Sequence, residues 1–372
     1  MSRAMGDRSS LQVCPSYEMA LSSRFDEDGA WTSNKSITFV NTMTIEEHRS
    51  DLRLAHKYRL SLTTVPQQSS FRVVALFFLD LDTKADEKPA NVPVEVCWEG
   101  DRPYLVGTNT ESCWVGNSIC AERAAMTLLR WMPHAVVQKI VIVTDAPHAV
   151  APGMMCREFM AGQSQIPWNV SIVLGGTTSQ KDGEDDYLPD YLESVVRLEE
   201  LYPHPSLYTR KTVPECLKFG AQWKDACLSS ENRLMELARQ ATQRDARSSL
   251  HPIRYGAAVL FRDKSYAATP QVKALEYGCS LDAVSQLAPI LQVKRERGIA
   301  PLRMVQVDQF GIAHAPFAPA RALLSEHGFG DTQVIVHSWN PKSEGIEWHT
   351  VRVKDLAPKA PYLGVLHQNG IS

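Results

Sequence analysis

One nine-residue pattern occurs twice in this chain: Val196-Arg197-Leu198-Glu199-Glu200-Leu201-Tyr202-Pro203-His204 returns as Val351-Arg352-Val353-Lys354-Asp355-Leu356-Ala357-Pro358-Lys359. Other echoes keep the same order. The strand-like run Phe71-Arg72-Val73-Val74-Ala75-Leu76 is answered by Tyr255-Gly256-Ala257-Ala258-Val259-Leu260-Phe261. Ile140-Val141-Ile142-Val143 is answered by Met304-Val305-Gln306-Val307, and Val170 to Leu174 by Val334-Ile335-Val336. Ordered echoes point to one structural unit used twice. A length of 372 residues leaves room for two units and a tail. Short apolar runs that read as buried strands alternate with helical segments, which argues an α/β sandwich with a mixed sheet.

The chemistry-bearing residues gather in the first unit. Ser118-Ile119-Cys120-Ala121-Glu122-Arg123 opens a helix whose apolar face is Ala124, Ala125, Leu128, Leu129 and Trp131. A thiolate can hold a zinc ion, and a carboxylate two residues on can move protons. A second segment, Pro152-Gly153-Met154-Met155-Cys156-Arg157-Glu158, follows the Ile140 strand. Zinc-dependent nucleobase deaminases combine a His/Cys-x-Glu segment with a Pro-Cys-x-x-Cys segment. The chain therefore resembles the cytidine deaminase family, whose second motif is Pro-Cys-Gly-x-Cys-Arg-Gln/Glu. Pro152, Cys156, Arg157 and Glu158 match it, and Gly153 stands where the first Cys of the pair belongs. Asn109-Thr110-Glu111 resembles the family's Asn-x-Glu, with Glu111 nine positions before Cys120. Phe71 to Leu76 resembles its first strand.

The resemblance runs from the Thr44 region to the Pro358 region. It implies an α/β protein of two three-layer α/β/α domains, each with a mixed sheet. The expected division is a partly disordered extension over 1–43, a catalytic domain over 44–176, a linker over 177–214 and a degenerate copy over 215–365. It also implies Zn2+ on Cys120 and Cys156, with Glu122 as proton shuttle. The implied substrate is a free nucleoside, cytidine or deoxycytidine, as in pyrimidine salvage. Asn109 and Glu111 would meet its sugar hydroxyls and Phe71 its base. Water would add at C4 and ammonia leave, giving uridine, with zinc lowering the pKa of water from about 15.7 to about 7. In the two-domain branch of this family a catalytic domain is followed by a broken one and two chains pair, so a homodimer is expected.

Catalytic zinc sites carry three protein ligands, and the sequence names two. His148, on the same loop, is the nearest imidazole; a two-Cys site, a zinc-free relic and a ligand from another segment are the alternatives. Arg157 reads either as a counter-charge to the thiolates or as a surface partner of Glu158. In the second copy Asp282 falls opposite Cys120, Val284 opposite Glu122, Phe317 opposite Gly153 and Ala320 opposite Cys156. That copy keeps no thiolate pair and no shuttle. The rival reading is a pseudoenzyme that keeps the fold and the dimer and serves as a binding or assembly subunit, and Gly153 favours it.

Composition narrows the setting. A net charge of -3 offers no basic field for a phosphate backbone, so a nucleic-acid partner is not expected. No apolar run approaches the roughly 18 residues of a membrane span. Eight scattered cysteines argue against a secreted disulfide scaffold and for a reducing, cytoplasmic setting. Arg3, Arg8 and the nearby serines make a mitochondrial transit peptide the alternative. Along the chain, a helix capped by Thr44 stops before Pro66. Residues 82–93 read as a loop insertion, Gly175-Gly176 opens a polar loop, and a helical segment with Leu234, Leu237 and Ala238 opens the second copy.

Overall fold

Strand β1 (Val73–Asp80) is buried along almost its whole length, and its period-two alternation sends side chains into two cores. Val74, Leu76 and Phe78 cluster with Leu52 and Ala55 of helix α1 (Ile45–Ser61). Ala75, Phe77 and Leu79 share the opposite core with helices α2 (Ala121–Leu129) and α3 (Met154–Gly162). Helices on both faces of one sheet give the three-layer α/β/α arrangement that the sequence implies. The computed structural model describes residues 45–81, 95–146, 149–176, 194–228 and 232–359. The 1–43 extension, the 82–93 insertion and His148 lie outside them.

The first sheet runs β2 (Cys97–Glu99), β3 (Arg102–Thr108), β1, β4 (Val136–Thr144), β5 (Ser171–Gly175), β6 (Ser194–Arg197), and a short helix α4 (Leu198–Leu201) follows. β4 and β5 pair in parallel and the other neighbours antiparallel. Helices α5 (Val213–Leu228) and α6 (Arg233–Thr242) lead to the second sheet. That sheet runs β12 (Gly345–Arg352), β11 (Gln333–Asn340), β9 (Pro301–Asp308), β7 (Tyr255–Phe261), β8 (Tyr266–Pro270), with β10 (Ala313–His314) on β9. Its parallel pair is β9 with β11. Helices α7 (Ala288–Glu296) and α8 (Ala318–Glu326) take the places of α2 and α3, and α9 (Val353–Leu356) closes the unit. No described helix is long and apolar enough to cross a membrane.

The repetition extends to irregularities. β1 slips register against β4 between Phe78 and Leu79, and β7 slips against β9 between Leu260 and Phe261. An isolated bridge joins Thr110 to Ile119, and its twin joins Val272 to Leu281. This register sets Asp282 at the place of Cys120. Helix α5 lies where the sequence predicts the end of a linker at 214 and no helix before Leu234. Its Phe219 and Trp223 rings pack against Trp339 of β11.

Two buried arginines join the halves. Arg157 of α3 donates to Pro152 O at 2.7 Å, Leu201 O at 2.9 Å, Pro358 O at 2.6 Å and Lys359 O at 2.9 Å. Arg321 of α8 repeats the set on Pro316 O at 2.7 Å, Leu356 O at 3.1 Å, Pro203 O at 2.7 Å and His204 O at 2.8 Å. Each arginine thus holds the end of its own half and the end of the other. The nine-residue repeat supplies three of the four acceptors of each arginine. Its last residues, His204 and Lys359, adopt φ of 47° and 50°, a left-handed conformation uncommon outside glycine. Glu158 adds a contact across the seam, accepting from Tyr202 Oη at 2.7 Å and from the Ala318 N–H at 3.3 Å. Arg157 is therefore no surface partner of Glu158, and the Cys156 and Glu122 charges are felt at its buried guanidinium. Its donors are committed to carbonyls.

Candidate active site

Two helix N-termini converge beside β3. Cys120 is the residue before α2, Glu122 lies in the first turn of that helix, and Cys156 lies in the first turn of α3. Gly107 of β3 permits the approach: a Cβ there would lie 2.1 Å from Ala121 O and 2.6 Å from Ala125 N, so α2 can rest on the strand only over a glycine. The two Sγ atoms and a Glu122 carboxylate oxygen all lie within 4.8 Å of one another. No other His, Cys, Asp or Glu group of this kind occurs among the described residues. Glu122 and Cys156 are buried, and Cys120 is half-buried.

Electrostatics separate the three groups. The Cys120 thiol is lowered to about 6, first by the hydrogen bond from Cys156 and then, against burial, by Arg123. Arg123 Nη2 lies 3.8 Å from Cys120 Sγ and donates to Ser118 O at 2.5 Å. The hydrogen bond between Cys156 and Cys120, and then burial, push the Cys156 thiol up. Burial and then the Cys120 charge raise Glu122 to about 7, where a carboxyl can both give and take a proton near neutrality.

The donor set fits a zinc ion, since two thiolates and a carboxylate are ligands that zinc accepts. Gly153 contributes no donor, and a Cβ added there meets nothing within 4 Å. The third protein ligand can then be only Glu122 among the clustered groups, and a carboxylate bound as a ligand is not free as a shuttle. His148, the imidazole considered from sequence, lies outside the described residues.

The residues expected to read the substrate sit nearby. Glu111 Oε2 accepts the N–H groups of Gln68 at 2.7 Å and Ser69 at 3.0 Å. Burial acts to raise its pKa, but these bonds and the Ser69 hydroxyl hold it below the ordinary carboxylate value. Its charge is felt at Cys120. Asn109 uses both ends of its amide on the start of β1, accepting from Val73 N and donating to Phe71 O, each at 2.9 Å. Phe71 itself is 40% exposed. The corresponding region of the second half is filled. Asp282 caps backbone, accepting from Val284 N at 3.0 Å and Ser285 N at 2.9 Å. Phe317, at the place of Gly153, packs its ring edge-on to Tyr255 at 5.0 Å. Lys273, two residues beyond Gln271 as Glu111 is two beyond Asn109, is buried against Asp245 at 2.7 Å.

No protein-family model matches the chain, and no curated protein does. Solved structures do. The chain is similar to cytidine deaminases over about a third of its length. The enzyme from Mycobacterium tuberculosis is 25% identical over 34% of this chain and 93% of its own, with a TM-score of 0.28. The cytidine deaminase from Burkholderia pseudomallei is 21% identical over 43% of this chain and 98% of its own, with a TM-score of 0.28. That from Bacillus anthracis is 13% identical over 37% and 94%, with a TM-score of 0.26.

Proposed function

We propose that the chain is a cytidine deaminase-like hydrolase acting on free cytidine or deoxycytidine, its first half catalytic, its second half a degenerate copy, and the working form a homodimer. The observation that carries this reading is the meeting of Cys120, Glu122 and Cys156 in one site at two helix N-termini. Zinc, held by Cys120 and Cys156, would supply the Lewis acidity that makes hydroxide available at neutral pH. Glu122 would take a proton from the attacking water and hand it to the ring nitrogen. It would then take the remaining proton from the new C4 hydroxyl and deliver it to the amine, so that the C4 carbonyl forms as the bond between C4 and nitrogen breaks and ammonia leaves. Glu111, with one oxygen on backbone N–H groups, would offer the other to a sugar hydroxyl. Asn109 would meet the sugar only by giving up one of its β1 bonds, and Phe71 would cover the base.

Gly153 supports a second reading, in which Glu122 completes the metal set and the protein binds without turning over. Zinc content of the purified chain, measured with cytidine turnover on the same sample, separates the two. Zinc with turnover supports the hydrolase. Zinc without turnover supports the binding subunit, and neither zinc nor turnover after zinc is added sinks the metal reading.

A further inference from the structure

The repeat offers an internal comparison away from the thiols. At the β1 slip Phe78 pairs with Lys139, and at the β7 slip Leu260 pairs with Arg303. Both positions line a groove. The first-half groove encloses about 390 Å³, and its cations are already matched. Asp51, a fully buried carboxylate, accepts Arg102 Nη1 at 2.7 Å and also pairs with Lys139. Asp80 and Asp101 line it too.

The second-half groove is open to solvent, spans about 760 Å³ and reverses the charge. Arg303 replaces Lys139. Arg262, whose N–H bonds Ala300 O, stands where Asp80 stands. Arg295 of α7 adds a third guanidinium. No described carboxylate plays the part of Asp51 here. Arg303 turns Nε and Nη2 to the neutral Gln333 Oε1 at 3.1 and 2.9 Å, and Arg295 turns Nη1 to His327 O at 2.5 Å. Asp331, the acid among the lining residues, is held by Lys354 at 3.0 Å. The floor is apolar, with Leu260 and Phe329, and the wall includes Thr332, whose buried hydroxyl has no partner among the described residues.

We propose that this groove binds a phosphate-bearing small molecule of mononucleotide size, with Arg262, Arg295 and Arg303 on the phosphate and the apolar floor under its ring. Guanidinium forks match phosphate oxygens better than any other side chain. The volume falls within the roughly 300–1,000 Å³ of small-molecule sites. The inference is independent of the deaminase reading.

Calorimetry on the full chain at low salt, with CMP as probe, tests it. CMP should bind, and more weakly as salt rises. Arg262→Ala and Arg303→Ala should each weaken binding by roughly tenfold or more, while Cys120→Ser leaves it unchanged and excess cytidine does not displace it. Arg262 is exposed, so its replacement spares the core, and a thermal melt of each variant verifies folding. Absence of CMP binding, or binding indifferent to both arginine variants, would overturn the proposal. Displacement by cytidine would move the ligand to the thiol site. Equal affinity for inorganic phosphate would remove the ring from the assignment.

Discussion

Replacing Arg157 by alanine tests the seam. The side chain makes four bonds to carbonyls, at 2.6 to 2.9 Å, from a fully buried position. A hydrogen bond from a charged group contributes about 1.5–3 kcal/mol, so four bonds set a ceiling near 6–12 kcal/mol. Three effects lower it. Water can enter the space left behind, the guanidinium no longer has to be desolvated, and repulsion from Arg321, which helps lower Arg157 to about 9, disappears. We expect a loss of about 3–5 kcal/mol, a large part of the roughly 5–15 kcal/mol that holds a domain folded. Arg321→Ala should match it within about 1 kcal/mol, because its four acceptors are the same set transposed. The double variant should lose less than the sum, since both changes open one seam. Arg157→Lys should recover under half, as an ammonium cannot reach four separated carbonyls. Urea unfolding followed by tryptophan fluorescence gives these values. A loss below about 1 kcal/mol at either arginine refutes the reasoning.

Glu122→Gln should lower cytidine turnover by about two to four orders of magnitude while zinc stays bound; loss of the metal instead would mark Glu122 as a ligand. Gly153→Cys should raise zinc content, because its φ of -61° is ordinary and a Cβ there meets nothing within 4 Å; unchanged zinc would show that this backbone no longer points a thiol at the site. His337, first through burial and then through His314, is lowered to about 4 from an ordinary 6.5. The folded state therefore resists its protonation, so this contribution is intact above pH 6.5 and lost as pH falls towards 4, by about 3 kcal/mol. His337→Asn, which keeps an acceptor for the Ala313 N–H, should flatten that part of the acid loss in urea midpoints; equal acid sensitivity would count against it.

Strands β1, β4 and β7 were legible as apolar runs, and β9, interrupted by Arg303 and Gln306, through its echo of β4. The repeat supplied their order. Strand β2 was not legible: Cys97-Trp98-Glu99 is too short to show alternation, and its pairing with β3 is what makes it a strand. Helix α5 has a faint signal, with Cys216, Phe219, Gly220, Trp223 and Cys227 at helical spacing. At the site, the order of Cys120, Glu122 and Cys156 suggests their meeting, which the fold brings about. The setting of Arg157 could not be read locally, because two of its acceptors are some two hundred residues away. Asn109 shows the same limit: the sequence gives an amide, and only the fold shows both its ends already committed to the backbone of Phe71 and Val73.

The crossed grip of Arg157 and Arg321 bears on what the second half is for. Removing it would strand a buried guanidinium in the first half, facing two absent carbonyls, and would leave Pro203 O and His204 O without their donor. A first half cut at residue 214 should therefore lose cooperative unfolding even though every thiol is kept. The second half keeps no thiol or carboxylate cluster among its described residues, yet its Pro358 and Lys359 carbonyls clasp Arg157 of the first.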